Sequence, residues 1–329
     1  MKDTTTLGRR PIRWRRVIAL AAFGSALALV LVPLGMGALP MWALLHPSCW
    51  SDSLTPASYG LPSYQDISIP GRHGSGSVYR GFFVRGTKDA TIILPPPYSV
   101  GRMGMLREGS LLAKTGFNIL TYDSRVCSGS NVTTLGYAEA QDVGDVLAYL
   151  AQNDDGIHVN MDHIALHGFS AGGAAALMAG ARFPQIRAIL AEGGYDDADQ
   201  TLGWHNATTP FNWLMVAGAE FTYRVSTGQD ASILKPVDAI QHIPPRAVYL
   251  VYGSQESSLP GAKDELAASL AASTDAPIPP RLWIVPGAGH GGYTNAVGEE
   301  EYIRHVAPFY DCALLNHCDS WNTLWNTVF

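Results

Sequence analysis

The sequence has little of several features that would identify other kinds of protein. Only four cysteines occur among its 329 residues, and none stands in a C-x-x-C pair, which argues against a zinc site built on cysteine. No internal repeat or low-complexity tract is present, which excludes a fibrous or disordered chain. Charged residues make up 15% of the chain and hydrophobic residues 47%, so there are enough apolar side chains for a substantial core.

Charge is missing altogether from residues 17–45. Residues 1–16 contain six basic groups and one acidic group, whereas residues 17–329 contain 16 basic and 27 acidic groups. The acidic body argues against nucleic acid as a partner.

Because about 20 apolar residues suffice to cross a bilayer, residues 17–45 are predicted to be a transmembrane signal anchor. The positive-inside rule then leaves residues 1–16 in the cytoplasm and the chain after Leu45 on the opposite side of the membrane. A cleaved signal peptide, which would give a secreted protein, and a buried core helix are the alternatives.

The cysteines fit an extracytoplasmic location, where disulfides persist. Cys312 and Cys318 stand six residues apart, a spacing that a short loop can close, and Cys49 and Cys127 would then form the other pair. Three pairings are open from sequence alone, and four free thiols are a further alternative.

The chain after the anchor divides into a linker and one large domain. Residues 46–63 are rich in Pro, Ser and Gly and are predicted to be the linker. In residues 64–329, β-rich runs come first and strands then alternate with helices. This pattern predicts an α/β fold with a mostly parallel sheet and helices on both faces. Residues 196–240 break the alternation with an aromatic, irregular stretch, which we interpret as a lid insertion.

The stretch "HGFSAGGAAALMAGARFP" places Ser170 in a G-x-S-x-G pattern between an apolar strand and a helix of small residues. A nucleophile elbow needs this arrangement, because its sharp turn tolerates only small neighbours and exposes the serine hydroxyl. The backbone N–H of Ala171 would then begin a helix and donate to an oxyanion.

A serine nucleophile requires a base and an acid that orients the base, and the elbow geometry predicts them in the order serine, acid, histidine. His290 follows the last predicted strand in the glycine-rich segment "VPGAGHGGY" and is the predicted base. Glu256, in "GSQESSLP" after the preceding strand, is the predicted acid. Asp196 and Asp197 are the competing acids.

These residues together resemble the α/β-hydrolase family over residues 64–312, nearest to bacterial serine hydrolases with a dienelactone-hydrolase or prolyl-oligopeptidase-like catalytic domain. "FNILTYDSRVCSGS" is similar to the family's D-x-R-G-x-G-x-S segment, and "GSQESSLP" to its G-x-x-D-x-x-x-P segment, with Glu256 in place of aspartate. The family commonly has His-Gly after its third strand, where this chain has "LPPPYSVGR". Because proline has no N–H, the resemblance assigns the second oxyanion donor to the backbone N–H of Tyr98, with Ser99 or the Tyr98 hydroxyl in reserve.

The resemblance implies an α/β-hydrolase fold and a membrane-anchored serine hydrolase that cleaves a small-molecule carboxylic ester or amide without metal or other cofactor. An acyltransferase on the same site and a non-catalytic binding protein are the alternatives. The insertion is aromatic, so it either lines an acyl pocket or has a small core of its own. The predicted substrate contacts are Phe169 in the elbow and Trp204 and Trp213 in the insertion.

Overall fold

The computed structural model describes residues 14–72, 77–152, 155–198 and 210–326. Its centre is an eight-stranded sheet with the order β1-β2-β4-β3-β5-β6-β7-β8. The strands are β1 (Gln65–Pro70), β2 (Val78–Val84), β3 (Thr91–Leu94), β4 (Asn118–Tyr122), β5 (Ile164–Phe169), β6 (Ile186–Glu192), β7 (Ala247–Gly253) and β8 (Arg281–Val285). β2 pairs antiparallel with both β1 and β4, and all the other pairs are parallel. The predicted mostly parallel sheet is confirmed.

Helices cover both faces of this sheet. The described helices are α1 (Trp14–Leu45), α2 (Leu106–Lys114), α3 (Tyr137–Gln152), α4 (Ala171–Arg182), α5 (Asn212–Thr227), α6 (Pro236–Ala239), α7 (Leu259–Ala272), α8 (Tyr293–Val297), α9 (Glu299–Leu315) and α10 (Asp319–Asn326). One core cluster packs α3, α4 and α7 on the sheet, and a second packs α2, α9 and α10 on the opposite face. β3 is buried throughout and β5 is buried up to Phe169, and both lie between these two layers, which explains their apolar runs.

The first helix is long and apolar enough to cross a membrane. An 18-residue stretch of it has a mean hydropathy of 2.5 and contains no buried residue. Only Met41 and Leu45, near its end, are buried. They pack in a separate apolar cluster with residues of α5, among them Ala219 and Tyr223. The exposed helix therefore joins the domain through its last turns and the insertion.

The insertion contains a regular helix where the sequence predicts irregular structure. α5 runs for 16 residues and ends at Gly228, whose backbone adopts a φ of +72°. Its side chains include several with modest helix propensity, so its sequence alone gives a weak signal. Packing against α1 provides the missing stabilisation: a Cβ on Gly218 would lie 2.1 Å from the Leu34 carbonyl oxygen, so the two backbones are in contact.

Two disulfides fix the ends of the domain. Cys49, just after α1, is bonded to Cys127 in the loop after β4, and Cys312 is bonded to Cys318. This is the pairing that the six-residue spacing favours. The first bond ties the chain that follows the apolar helix to the edge of the sheet where the candidate site lies.

Candidate active site

Ser170 occupies a strained turn between β5 and α4. Its backbone has φ +57° and ψ −125°, in a region that residues with a side chain rarely adopt. The turn is held by a hydrogen bond from the Ser170 N–H to the Glu192 carbonyl oxygen at 2.8 Å. A Cβ on Gly168 would lie 2.0 Å from the Gly172 carbonyl oxygen, which shows why this position is glycine. The geometry is that of a nucleophile elbow.

His290 reaches Ser170 from the loop after β8. Its Nε2 lies 3.0 Å from the Ser170 Oγ, which is hydrogen-bond distance. The next two residues, Gly291 and Gly292, have φ values of +85° and +67°, and this left-handed backbone turns the imidazole toward the elbow. The ring packs against Phe169 with centroids 4.9 Å apart. The predicted contact of Phe169 with substrate stays a prediction; its ring contact is with His290.

Glu256 lies on the far side of the imidazole. Its Oε2 is 3.3 Å from His290 Nδ1, and its side chain is completely buried. The carboxylate also accepts hydrogen bonds from the Gly253 N–H at 2.9 Å, the Ser258 hydroxyl at 3.0 Å and the Tyr293 hydroxyl. Burial raises the pKa of Glu256, but the hydrogen bonds from His290, Tyr293, Gly253 and Ser258 outweigh it, so the net pKa is below its usual value. The group is therefore ionised at neutral pH.

The two competing acids have other surroundings. Asp197 forms an ion pair with Lys235 at 3.3 Å. Asp196 lies against α7: a Cβ on Gly261 would be 2.3 Å from the carboxyl carbon of Asp196. Burial raises the pKa of Asp196. The structure thus brings Glu256, rather than either aspartate, to the histidine.

The proline-rich loop after β3 lies directly on the elbow. A Cβ on Gly172 would be 2.6 Å from the Pro95 carbonyl oxygen and 2.8 Å from that of Pro96. This contact brings Tyr98 to the cavity that Ser170 and Ala171 also line. Among hydrogen bonds between described residues, neither the Tyr98 N–H nor the Ala171 N–H donates to a protein acceptor. The predicted role of these two backbone N–H groups as oxyanion donors stays a prediction.

The side-chain hydroxyls of Tyr98 and Ser99 are both engaged elsewhere. The Tyr98 hydroxyl donates to the carbonyl oxygen of Leu44 in α1, and the Ser99 hydroxyl donates to that of Ser48. The phenol is thus fixed to the end of the apolar helix.

A cavity of about 220 Å³ opens beside Ser170, and its walls are mainly apolar. Its lining comprises Leu44, Tyr98, Leu135, Ser170, Ala171, Tyr195 and Ala198. Trp213 is not part of this lining and its side chain is 68% exposed, so its predicted contact with substrate stays a prediction. Trp204 lies outside the described residues. Within the described ranges, no group of three or more His, Cys, Asp or Glu side chains is arranged to hold a metal ion.

Two residues of this site have no clear signal in the sequence. Tyr293, the donor to Glu256, stands three residues after His290, but neither its type nor its spacing marks it. Leu44 lines the cavity from a helix that the sequence assigns to the membrane. The place of Leu44 in the cavity lining can be seen only in the structure, which brings the end of α1 next to the elbow at Ser170.

Comparison with known proteins supports the same fold. The BD-FAE family model, an α/β-hydrolase-family domain, matches residues 100–189. No curated protein matches the sequence. The Pyrococcus furiosus esterase Pf2001 is 20% identical with a TM-score of 0.64, and the likeness covers 82% of this chain and 100% of the esterase.

Two further structures show the likeness. The α/β hydrolase GrgF from Penicillium sp. sh18 is 18% identical with a TM-score of 0.57, over 77% of this chain and 99% of that one. The 2,6-dihydroxy-pseudo-oxynicotine hydrolase is 15% identical with a TM-score of 0.57, over 78% of this chain and 69% of that one. The chain therefore has the α/β-hydrolase fold, and the resemblance predicted from its motifs is confirmed.

Proposed function

We propose that the protein is a serine hydrolase that cleaves a carboxylic ester through an acyl-enzyme on Ser170. The observation that carries this proposal is the continuous chain of short contacts from the Ser170 Oγ to His290 and from His290 to the buried Glu256. An ionised, buried carboxylate holds the imidazole in the tautomer that accepts the serine proton and stabilises the imidazolium that forms.

The reaction follows from this geometry. Ser170 Oγ attacks the substrate carbonyl carbon while His290 Nε2 takes its proton. The tetrahedral oxyanion accepts hydrogen bonds from the Ala171 and Tyr98 N–H groups. His290 returns the proton to the leaving alcohol, and the acyl group stays on Ser170. Water, deprotonated by His290, then attacks the acyl-enzyme and releases the acid.

The experiment is hydrolysis of p-nitrophenyl acetate and p-nitrophenyl octanoate by the full chain and its Ser170→Ala variant. Ser320→Ala, an exposed serine in α10, is the matched control. We expect the first variant to lose hydrolysis and labelling by a fluorophosphonate, and the control to keep both. A folded wild-type chain that neither hydrolyses ester nor takes up the probe would overturn the proposal in favour of a binding protein. Probe labelling without hydrolysis would instead indicate an amide substrate or an acyl acceptor other than water.

We further propose that α1 anchors the protein, with residues 1–16 in the cytoplasm and the hydrolase domain on the opposite side of the membrane. The basic residues before α1 and the two disulfides support this orientation. Protease added outside intact cells tests it. We expect digestion of the domain with protection of α1, whereas protection of the whole chain would contradict the orientation.

A further inference from the structure

The cavity beside Ser170 shares a wall with the apolar helix. Leu44, in the last turn of α1, lines this cavity. Its carbonyl oxygen accepts the hydrogen bond from Tyr98, and the carbonyl oxygen of Leu45 accepts one from the Thr133 N–H at 3.0 Å. The end of α1 is therefore bonded to two segments that border the site.

Exposed tryptophans mark both ends of α1. Trp14 is 66% exposed and Trp42 is 55% exposed. They are 28 residues apart. At the rise of an α-helix this separation is about 42 Å, which matches the roughly 40–45 Å of a bilayer with its headgroup regions. Tryptophan favours the membrane–water interface. Trp42 therefore marks the outer interface, and Leu44 at the cavity lies two residues beyond it.

The helix α5 contacts α1 on the membrane side of Trp42. A Cβ on Gly37 would lie 1.8 Å from the Met215 carbonyl oxygen, and one on Gly218 would lie 2.1 Å from that of Leu34. Small residues at such contacts let membrane helices pack closely. Gly37 and Leu34 precede Trp42 by roughly 8 and 12 Å along the helix, close to the depth of about 5–10 Å at which interfacial helices lie.

The exposed apolar side chains of α5 lie next to this contact. Phe221 and Val225 are 68% and 67% exposed. They stand three and seven residues after Gly218, so all three share one helical face. Ala219 and Tyr223, on a different face, are buried against the domain. The apolar face of α5 that carries Gly218, Phe221 and Val225 therefore adjoins the exposed surface of α1, and the charged residues Glu220 and Arg224 are exposed beside it.

The size of the cavity indicates what it holds. Pockets that enclose a drug-sized ligand usually measure about 300–1,000 Å³. At about 220 Å³, with mainly apolar walls, this cavity has room for part of an acyl group. The remainder of a longer substrate would lie outside it, along α1 and α5.

From these observations we propose that the substrate is an acyl ester of a lipid in the outer leaflet, which reaches Ser170 along α1 and the apolar face of α5. This proposal rests on the serine hydrolase function proposed above. In the reaction, the bond between the lipid acyl carbon and its alcohol oxygen breaks, and the Ser170 Oγ–acyl bond forms. The serine proton passes through His290 to that alcohol, and water then releases the fatty acid and restores the serine.

The test uses the full chain reconstituted into vesicles of phosphatidylcholine and dioleoyl phosphatidylglycerol. Release of oleic acid is measured beside hydrolysis of p-nitrophenyl acetate added to the same vesicles. We expect both activities in the wild-type chain and neither in Ser170→Ala. The soluble ester reports the proposed function, and the lipid reports the substrate class.

The double variant Phe221→Ser/Val225→Ser separates the role of α5 from the chemistry. Both side chains are exposed and lie outside the cavity lining, so we expect an unchanged rate with p-nitrophenyl acetate. Because removal of a large apolar side chain from a lipid contact costs about 1.5–3 kcal/mol, we expect oleic acid release to fall about tenfold or more. Leu270→Ser, which is 46% exposed on α7, is the matched control and leaves both rates unchanged.

Hydrolysis of p-nitrophenyl acetate without release of oleic acid by the wild-type chain would overturn the lipid proposal and leave the hydrolase function intact. Equal release of oleic acid by the wild type and the double variant would overturn the route along α5. Loss of both activities in the wild type, with no fluorophosphonate labelling, would refute the hydrolase function itself.

Discussion

The phenol of Tyr293 donates a hydrogen bond to Glu256 Oε1, while His290 Nδ1 lies 3.3 Å from Oε2 of the same carboxylate. One oxygen is thus held by the loop that follows His290, and the other faces the imidazole. Because Tyr293 begins α8 only three residues after His290, one short segment carries both the proposed base and a donor to its proposed acid. We therefore expect Tyr293 to act as a positioning residue, with an effect that appears through Glu256.

We predict that Tyr293→Phe lowers kcat/KM by about tenfold, the scale of one hydrogen bond to a charged group. The lost hydrogen bond normally lowers the pKa of Glu256. The acid limb of the pH–rate profile should therefore move to higher pH. Profiles between about pH 4 and pH 8 check this. Tyr310→Phe, which removes another buried tyrosine hydrogen bond, should leave the profile in place. An unshifted acid limb in Tyr293→Phe would contradict the role.

We predict that Glu256→Gln lowers kcat by about 10³- to 10⁴-fold, because an amide no longer holds the required imidazole tautomer. The measurement is the rate with p-nitrophenyl acetate at neutral pH. Glu300→Gln, at an exposed position in α9, should have no effect. A Glu256→Gln enzyme of nearly normal rate would show that another group orients His290.

The same substitution should change the response of stability to acid. The folded-state pKa of Glu256 is lowered, so its ionised form stabilises the folded protein above the unfolded-state pKa of about 4.3. This contribution is lost as the pH falls through the folded-state pKa. Between about pH 5 and pH 3, the free energy of unfolding should therefore fall more steeply in the wild type than in Glu256→Gln. Denaturant unfolding in detergent micelles measures it, and equal slopes would contradict the prediction.

Sequence reasoning predicted the parts of the site that follow from local pattern. The run of apolar residues before Ser170 and the small residues after it predict a strand, a sharp turn and a helix, and the structure has these elements. Glu256 and His290 were predicted from their places after successive strands, which parallel pairing brings to one sheet edge. Their catalytic roles stay predictions, although the structure brings both to Ser170.

The remaining features depend on contacts between distant segments. α5 has modest helix propensity and is stabilised by α1, about 180 residues earlier, so no local pattern reveals it. The oxyanion loop has three prolines, and only the contact of Pro95 and Pro96 with Gly172 shows where Tyr98 lies. Trp213 is a different case: an aromatic residue in a predicted lid suggests a pocket, but its side chain is exposed and is not part of the lining of the cavity beside Ser170, so its contact with substrate stays a prediction.

The contact at Gly172 gives a prediction for the oxyanion site. In Gly172→Ala the new Cβ would lie 2.6 Å from the Pro95 carbonyl oxygen, so the loop that carries Tyr98 must move. Loss of one oxyanion donor should lower kcat by about 10²- to 10³-fold. KM should change little, because this donor acts mainly in the transition state. Steady-state kinetics measure both constants, and an unchanged kcat would exclude Tyr98 as a donor.

The α1–α5 contact can be tested with two glycines of the same helix. A Cβ on Gly37 would lie 1.8 Å from the Met215 carbonyl oxygen, whereas one on Gly35 would meet nothing within 4 Å. Gly37→Leu must therefore separate α5 from α1, while Gly35→Leu adds a similar apolar side chain on an open face. Hydrogen exchange in vesicles should show faster exchange of the α5 amides in Gly37→Leu and unchanged exchange in Gly35→Leu. Tyr223 of α5 packs in the same apolar cluster as Leu45. Displacement of α5 in the Gly37→Leu protein should therefore also loosen the packing of this cluster beside the cavity. Equal protection of α5 in both variants would mean that the domain, rather than the apolar helix, holds α5 in position.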